Sequence, residues 1–153
     1  MVCLYQRKRR NMPRQPIRTT SPLEDKVRRL EDDLYMARAV IIDLMQPELE
    51  RLLWGQVSCE TFDEVRKWAD VATESIIEFA SRAEQPAEVN WDGRLRVLCP
   101  LCNRGPQSPY DNGFLLTEGL RRHLLGTYNS RQCSVFAAAH AMALDRARRA
   151  AGR

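Results

Sequence analysis

The apolar positions of residues 21–46 recur with the spacing of one long helix. They alternate in steps of four and three residues, the heptad spacing of helices that pack along a narrow seam, and they are Leu23, Val27, Leu30, Leu34, Ala37, Ile41 and Leu44. Ser21 and Pro22 suit the start of such a helix, whereas Pro47 should end or kink it. The seam predicts either a dimerising coiled coil or a helical hairpin that packs on the next helix.

A second long helix is predicted from Thr61. Glu64 lies three residues further on, so the two side chains can form a capping box. An apolar stripe of helical period follows, made of Phe62, Val65, Trp68, Ala69, Ala72, Ile76 and Phe79. The polar segment around Pro86 ends this pattern. We therefore predict a helical domain over residues 21–83 and a linker over residues 84–92.

The last third of the chain combines strand, loop and helix signals. Alternating apolar positions predict a short strand within residues 91–98. The Ala-rich segment SVFAAAHAMALDRARRA predicts a C-terminal helix. The expected fold class is mainly α, with an N-terminal helical hairpin or coiled coil, then a small ββα-like module and a C-terminal helix within residues 93–153.

Charge is strongly segregated along the chain, although the net formal charge is only +4. Residues 1–22 carry six basic and no acidic side chains, residues 23–89 carry eight basic and sixteen acidic ones, and residues 90–153 carry ten basic and four acidic ones. Two basic ends therefore flank an acidic middle, which indicates regions with different partners. We predict a flexible basic arm over residues 1–20, because it has two prolines and little apolar content.

The segment CPLC is the first candidate for chemistry. Cys99 and Cys102 have the spacing at which two thiolates of one tight turn bind a zinc ion. The rival is a dithiol redox motif, which needs its first cysteine at a helix N-terminus to lower the thiol pKa. The segment that follows, NRGPQSPYDNG, starts no helix, so the pattern favours zinc. Cys59 is isolated in the sequence and is interpreted as a buried structural thiol.

The residues after this pair resemble the second half of a zinc finger of the two-cysteine, two-histidine class. Phe114, Leu120 and His123 stand in the register of that class, and Thr117 stands where its helix is capped. The resemblance covers residues 97–133. It implies a small core formed by the Phe and the Leu, a helix that presents the histidine, and one structural zinc ion.

Two departures from that class leave the fourth ligand open. Eleven residues separate Cys102 from Phe114, a longer connection than the class has, and no ligand follows His123 at the usual spacing. Cys133 can complete the site, and His140 in the C-terminal helix is the alternative. We expect Cys133, because a lone histidine on an Ala-rich helix is more often a packing or surface residue. The predicted ligands are Cys99, Cys102, His123 and Cys133, a closed structural set without a position for water.

The C-terminal region has the charge of a nucleic-acid binder. All ten of its basic residues are arginines, which favour bidentate contacts with phosphate. In the zinc-finger register the base-facing positions are Leu116, Gly119 and Arg122, of which only Arg122 can bond a base edge. We therefore expect mainly backbone contacts with nucleic acid, DNA rather than RNA. The candidate contact residues are Arg104, Arg121, Arg122 and Arg131 near the finger and Arg7, Lys8, Arg9 and Arg10 in the arm.

A protein-interaction module is the competing hypothesis. In it the helix over residues 22–46 binds itself or a protein partner, and the zinc site is only structural. The two hypotheses are compatible in a small accessory or regulatory protein whose helical half oligomerises or binds a partner while its basic region contacts nucleic acid. The alternative is an adaptor or inhibitor that binds no nucleic acid.

The sequence contains no catalytic constellation. It has no Gly-rich phosphate loop, no serine nucleophile elbow and no His-x-Glu before its cysteine pair. With two histidines, it offers few candidates for acid–base catalysis. We expect a protein without enzymatic activity. We also expect an intracellular protein without a membrane partner, because its N-terminus lacks the apolar core of a signal peptide and no apolar run approaches the roughly 20 residues that cross a bilayer.

Overall fold

The computed structural model describes residues 21–82, 88–89, 93–106, 113–127 and 131–152. The elements in these residues are α1 (Pro22–Asp43), α2 (Pro47–Trp54), a 3-10 helix (Gly55–Ser58), α3 (Phe62–Arg82), β1 (Glu88–Val89), β2 (Leu95–Val97), β3 (Phe114–Leu115), α4 (Glu118–Leu125) and α5 (Ser134–Ala151). The fold is therefore mainly α, as the sequence predicts.

The two long helices begin where their capping signals predict. The backbone N–H of Ser21 donates to Glu24 Oε2 at 2.8 Å, and the backbone N–H of Glu24 donates to Ser21 Oγ at 3.2 Å. Thr61 and Glu64 form the same reciprocal pair at 2.9 and 3.2 Å at the start of α3. Each box satisfies amide donors that lack a partner within the first turn of the helix. Pro47 is the first residue of α2, so the predicted break after α1 is also confirmed.

A three-stranded antiparallel sheet in the order β1-β2-β3 precedes α4. In the pair formed by β2 and β3, Val97 lies opposite Phe114 and Arg96 opposite Leu115. A Cβ atom on Gly113 would lie 2.8 Å from backbone atoms of Val97, so this close approach requires glycine. Strands β2 and β3 followed by α4 form the expected ββα arrangement. The third strand, β1, falls within the segment that the sequence predicts as a linker.

The helical region and the basic region share one hydrophobic core. Ile42 of α1, Leu53 of α2 and Ile76 of α3 are fully buried in the same cluster as Leu124 of α4 and Phe136 of α5. The boundaries proposed from the sequence stay predictions, but side chains from both regions are buried against each other. Cys99 of the cysteine pair lies in this same cluster.

Among the ion pairs between helices, two join α1 to α5 and α4 to α3. Arg38 Nη1 donates to Asp145 Oδ2 at 3.0 Å and joins α1 to α5. Arg121 Nη2 donates to Glu74 Oε1 at 2.6 Å and joins α4 to α3. Both pairs are partly exposed, so each contributes about 0–1 kcal/mol of stability and mainly fixes how the helices sit against each other.

Two predicted segments lie wholly or mostly beyond what the structure describes. The basic arm over residues 1–20 lies outside the described residues, and the linker over residues 84–92 is described only at β1. Within the described residues, no helix has both the length and the apolarity needed to cross a membrane.

Candidate metal centre

Four side chains from three segments of the chain converge on one point. Their ligand atoms all lie within 4.8 Å of one another, and the residues are Cys99, Cys102, His123 and Cys133. Cys99 and Cys133 are fully buried, and His123 is 9% exposed. The structure thus brings together the ligand set predicted from the sequence.

A tight turn after β2 positions the first two cysteines. The backbone N–H of Asn103 donates to the Cys99 carbonyl at 2.8 Å, and the N–H of Cys99 donates to the Arg104 carbonyl at 3.0 Å. Asn103 has φ of 53°, a left-handed conformation that asparagine tolerates better than most residues. The turn therefore satisfies its own backbone while it holds Cys99 and Cys102 close to the same point.

The end of α4 places the other two ligands beside each other. Gly126 ends the helix with φ of 76°, and the chain then returns until the N–H of Cys133 donates to the His123 carbonyl at 2.7 Å. Cys133 is the residue immediately before α5. Thr117 stands at the N-cap position of α4 as predicted, although its side chain forms no capping hydrogen bond.

Two apolar side chains support the histidine. The rings of Phe114 and His123 are stacked with their centroids 4.2 Å apart and their planes 17° apart. Leu120, one turn before His123 on α4, is fully buried. The stacked Phe114 ring lies against the imidazole, whose Nε2 faces Cys102 Sγ.

The distances between ligand atoms fit tetrahedral metal coordination. Two thiolates on a tetrahedral zinc ion, at about 2.3 Å from the metal, lie about 3.8 Å apart, and Cys99 Sγ lies 3.8 Å from Cys133 Sγ. Cys102 Sγ lies 3.3 Å from His123 Nε2. Sulfurs in a disulfide lie about 2.05 Å apart, and all four described cysteines are free. The cluster can hold one metal ion.

The cluster carries negative charge suited to a cation. A hydrogen bond from Cys99 lowers the pKa values of the Cys102 and Cys133 thiols well below their usual range. Hydrogen bonds to those two sulfurs, together with burial, raise the pKa of Cys99. Burial lowers the pKa of His123, but hydrogen bonds to Cys133 and Cys102 outweigh this effect and the net pKa is raised. The lowered pKa values of Cys102 and Cys133 favour the thiolate form that metal binding requires.

Cys59 and His140 lie outside this cluster. Cys59 is buried in a small apolar cluster with Val65, and burial is the main cause that raises the pKa of its thiol. His140 is half-buried on α5, where its ring centroid lies 6.5 Å from that of Phe136 and burial lowers its pKa. Cys133, and not His140, therefore completes the set of four.

Two of the predicted contact arginines are held by carboxylates. Besides its bond to Glu74, Arg121 lies 3.8 Å from Glu118. Arg122 Nε donates to Glu118 Oε1 at 3.0 Å. The sequence does not signal the pair between Arg121 and Glu74, because these residues are 47 positions apart and meet only when α4 packs on α3. Arg121 thus joins α4 to α3, a role that could not be predicted from its position in the sequence.

The other two arginines lie on the loops that carry metal ligands. Arg104 follows Cys102 by two residues, and Arg131 precedes Cys133 by two. Both are exposed, and neither pairs with a carboxylate within the described ranges of the chain. The predicted contacts in the arm fall outside the described residues; they are Arg7, Lys8, Arg9 and Arg10.

Comparison of the chain with protein-family models, with curated proteins and with solved structures gave no significant match in any of the three.

Proposed function

We propose that this chain is a non-enzymatic nucleic-acid-binding accessory protein, built around one structural zinc ion. The observation that carries the proposal is the buried cluster of three cysteines and one histidine, with an exposed arginine on each of two ligand-bearing loops. In this proposal the metal-bound cluster holds the two loops together, and the arginines on those loops contact the nucleic acid.

The ligand chemistry favours zinc over other common metals. Three thiolates and one imidazole form a soft set, and zinc takes such sets in tetrahedral geometry. When bound, zinc supplies a cross-link between the turn over residues 99–104, α4 and the start of α5. All four positions are taken by side chains, so no position is left for a catalytic water. The closed set supports a structural role for the metal.

The proposed contacts with nucleic acid are made to the phosphate backbone. Arg104 and Arg131 are exposed on the two loops that the cluster holds together, and arginine forks match phosphate oxygens. Leu116 packs against the hydrophobic core, and Gly119 has no side chain to offer. Arg122 alone remains as a base reader, so affinity would depend on charge more than on sequence.

A second candidate function is a protein-interaction adaptor or inhibitor that binds no nucleic acid. The observation that favours it is the apolar seam of α1, whose large side chains are exposed in the protomer. An acidic helical half would not approach nucleic acid, so its partner would be a protein. The salt series below separates the two candidates.

We expect the zinc-loaded chain to bind labelled duplex DNA, with an affinity whose logarithm falls linearly with the logarithm of salt concentration. Replacing Arg104 and Arg131 with glutamate should weaken this binding at least about tenfold at low salt and reduce the slope by about 2, one for each lost phosphate contact. The measurement is fluorescence anisotropy over a salt series, repeated with single-stranded DNA and with RNA to rank the three.

The matched control is the double variant Arg66→Glu with Lys67→Glu, which changes net charge equally on exposed positions of α3. It should retain wild-type affinity within about threefold, because net charge alone acts weakly on a local phosphate contact. Arg121 is unsuitable for charge reversal, because a glutamate there would face Glu74 and disturb the packing of α4 on α3. No binding at low salt, or an equal loss in both double variants, would contradict the proposed contacts.

A further inference from the structure

The seam of α1 is left exposed by the residues that the structure describes. Its large members are 38–76% exposed, and they are Leu23, Val27, Leu30, Leu34, Ile41 and Leu44. The first buried residue of α1 is Ala39, and Ile42 is the other. In the part of the chain that the structure describes, no side chain in the N-terminal two-thirds of this helix is fully buried.

The seam and the buried residues lie on different faces of α1. At 100° for each residue, Ala39 and Ile42 stand about 140° around the helix from the centre of the seam. The buried face packs on α5, where Arg38 is bonded to Asp145. Leu34 borders a cavity beside Asp145 of α5. The seam as a whole is nevertheless exposed along about 33 Å of helix, and monomeric proteins seldom expose so long an apolar stripe.

We propose that this seam pairs with the same seam of a second copy, as a parallel two-stranded coiled coil. In heptad register, Val27, Leu34 and Ile41 occupy position a. Position d holds Leu23, Leu30, Ala37 and Leu44. β-Branched residues at a combined with leucine at d favour two parallel strands. Val27 and Ile41 supply the branched side chains, and three of the four d positions are leucine.

The charges beside the seam are complementary in this arrangement. In a parallel pair, each g position faces the e position five residues later on the other helix. Lys26 then faces Glu31 of the second copy, and Asp33 faces Arg38 of the second copy, so both charged pairs are attractive. Arg38 donates to Asp145 through Nη1 and keeps its other guanidinium donors. The third g position is Val40, which is 53% exposed; Met45, five residues later, lies beyond the end of α1 and packs against the core of its own chain.

An antiparallel pair centred on α1 is less favourable. The e positions then face each other, as do the g positions, so Glu31 would meet Glu31 of the second copy and Asp33 would meet Asp33. Like charges at such positions destabilise the pair. Glu24 would meet Arg38 in two attractive pairs, so the antiparallel pairs are of mixed sign, whereas both charged pairs of the parallel arrangement are attractive. The flanking charges therefore select the parallel orientation as well as the second copy.

The parallel pair has a consequence for the proposed function. Both metal centres lie C-terminal to α1, so a parallel coiled coil places two basic regions at the same end of the dimer. Only this consequence rests on the proposed nucleic-acid binding. The self-association is measured without nucleic acid, so the proposed dimer and the proposed nucleic-acid binding can fail independently of each other.

The test is the mass of the zinc-loaded full chain in solution, measured by light scattering over a wide concentration series. The wild type should have twice the 17.7 kDa mass of the chain. Leu30→Glu should have the mass of one chain, with unchanged zinc content and helix content, because Leu30 is 58% exposed in the protomer. The control is Val71→Glu on α3, which is 64% exposed outside the seam and should leave the dimer intact.

Orientation is tested by a cysteine at the seam, in a chain whose Cys3 is replaced by serine. Leu23→Cys should form a disulfide-linked dimer on mild oxidation, because equivalent d positions meet only in a parallel pair. No cross-link would overturn the parallel arrangement. A one-chain mass for the wild type at every concentration would overturn self-association and leave the seam to a helix of another protein.

Discussion

Cys99→Ala will lose its zinc, and its free energy of unfolding will be lower than that of the wild type by about 4 kcal/mol or more. Loss of a structural metal is one of the few effects of a single substitution that reach this size. Cys99 is fully buried and lies in the same core as Leu101, Leu120 and Leu124. Loss of the cross-link therefore removes the constraint on the turn and leaves the other thiolates of the cluster without their cation. The measurements are zinc content for each chain and the midpoint of thermal unfolding.

The chain provides a matched control in Cys59. This cysteine is 2% exposed and lies outside the cluster, so Cys59→Ala removes the same atoms from an equally buried site. We expect it to retain one zinc ion for each chain and to lose no more than about 1.5 kcal/mol of stability, the cost of a small change in a core. If Cys99→Ala kept its zinc, or cost no more than Cys59→Ala, the metal centre would not be structural.

Phe136→Ala will cost about 3–5 kcal/mol of stability, the usual range for removing a fully buried aromatic side chain. Phe136 is fully buried at the centre of the shared core. Its ring lies parallel to that of Trp68 with centroids 5.7 Å apart, and Trp68 Nε1 donates to the Leu52 carbonyl at 3.1 Å. The substitution thus opens a cavity where α5 meets α3 and, through Trp68, α2. Urea unfolding of the zinc-loaded chain measures the loss.

Phe62→Ala is the matched control for this substitution. Phe62 is the first residue of α3 and is 50% exposed, so its loss should change stability by no more than about 0.5 kcal/mol. If the two variants unfolded at the same urea concentration, Phe136 would not lie at the junction of the helices. A large difference supports one core shared by the helical and basic regions.

Local signals in the sequence predicted the parts of the fold that local interactions determine. Ser21 with Glu24 and Thr61 with Glu64 identified two helix starts, because a capping box needs only residues three apart. The cluster of candidate metal ligands was predictable for a related reason. The spacing of Cys99 and Cys102 and the zinc-finger register of His123 indicate metal binding from short segments alone. Cys133 was then preferred to His140 as the fourth ligand.

Contacts between distant elements could not be predicted in this way. The pair between Arg121 and Glu74 depends on how α4 packs against α3, and the burial of Phe136 beside Trp68 depends on how α5 crosses α3. The sequence indicated separate regions because its charge changes sign near residue 90. The structure shows that the apolar faces of both regions nevertheless form one core. The pattern of charges describes the surface of each region, whereas the periodic apolar positions show which side chains are buried.

The partner of the heptad seam also could not be predicted from the sequence. Its spacing left two possibilities open, a coiled coil and a hairpin packed on the next helix. The seam residues of α1 are exposed, and α1 packs on its own chain through Ala39 and Ile42 instead. Spacing alone could not distinguish these faces, because both carry apolar residues at helical period.

The most direct test of the closed structural zinc site is native mass spectrometry of the full chain, combined with the absorption spectrum after replacement of the metal by Co²⁺. One zinc ion should be bound to each chain, and the cobalt form should show the ligand-field bands of a tetrahedral site and thiolate charge transfer. The same bands should be absent from Cys99→Ala and present in Cys59→Ala. A chain that folds without metal, or that carries iron with inorganic sulfide, would contradict the assignment.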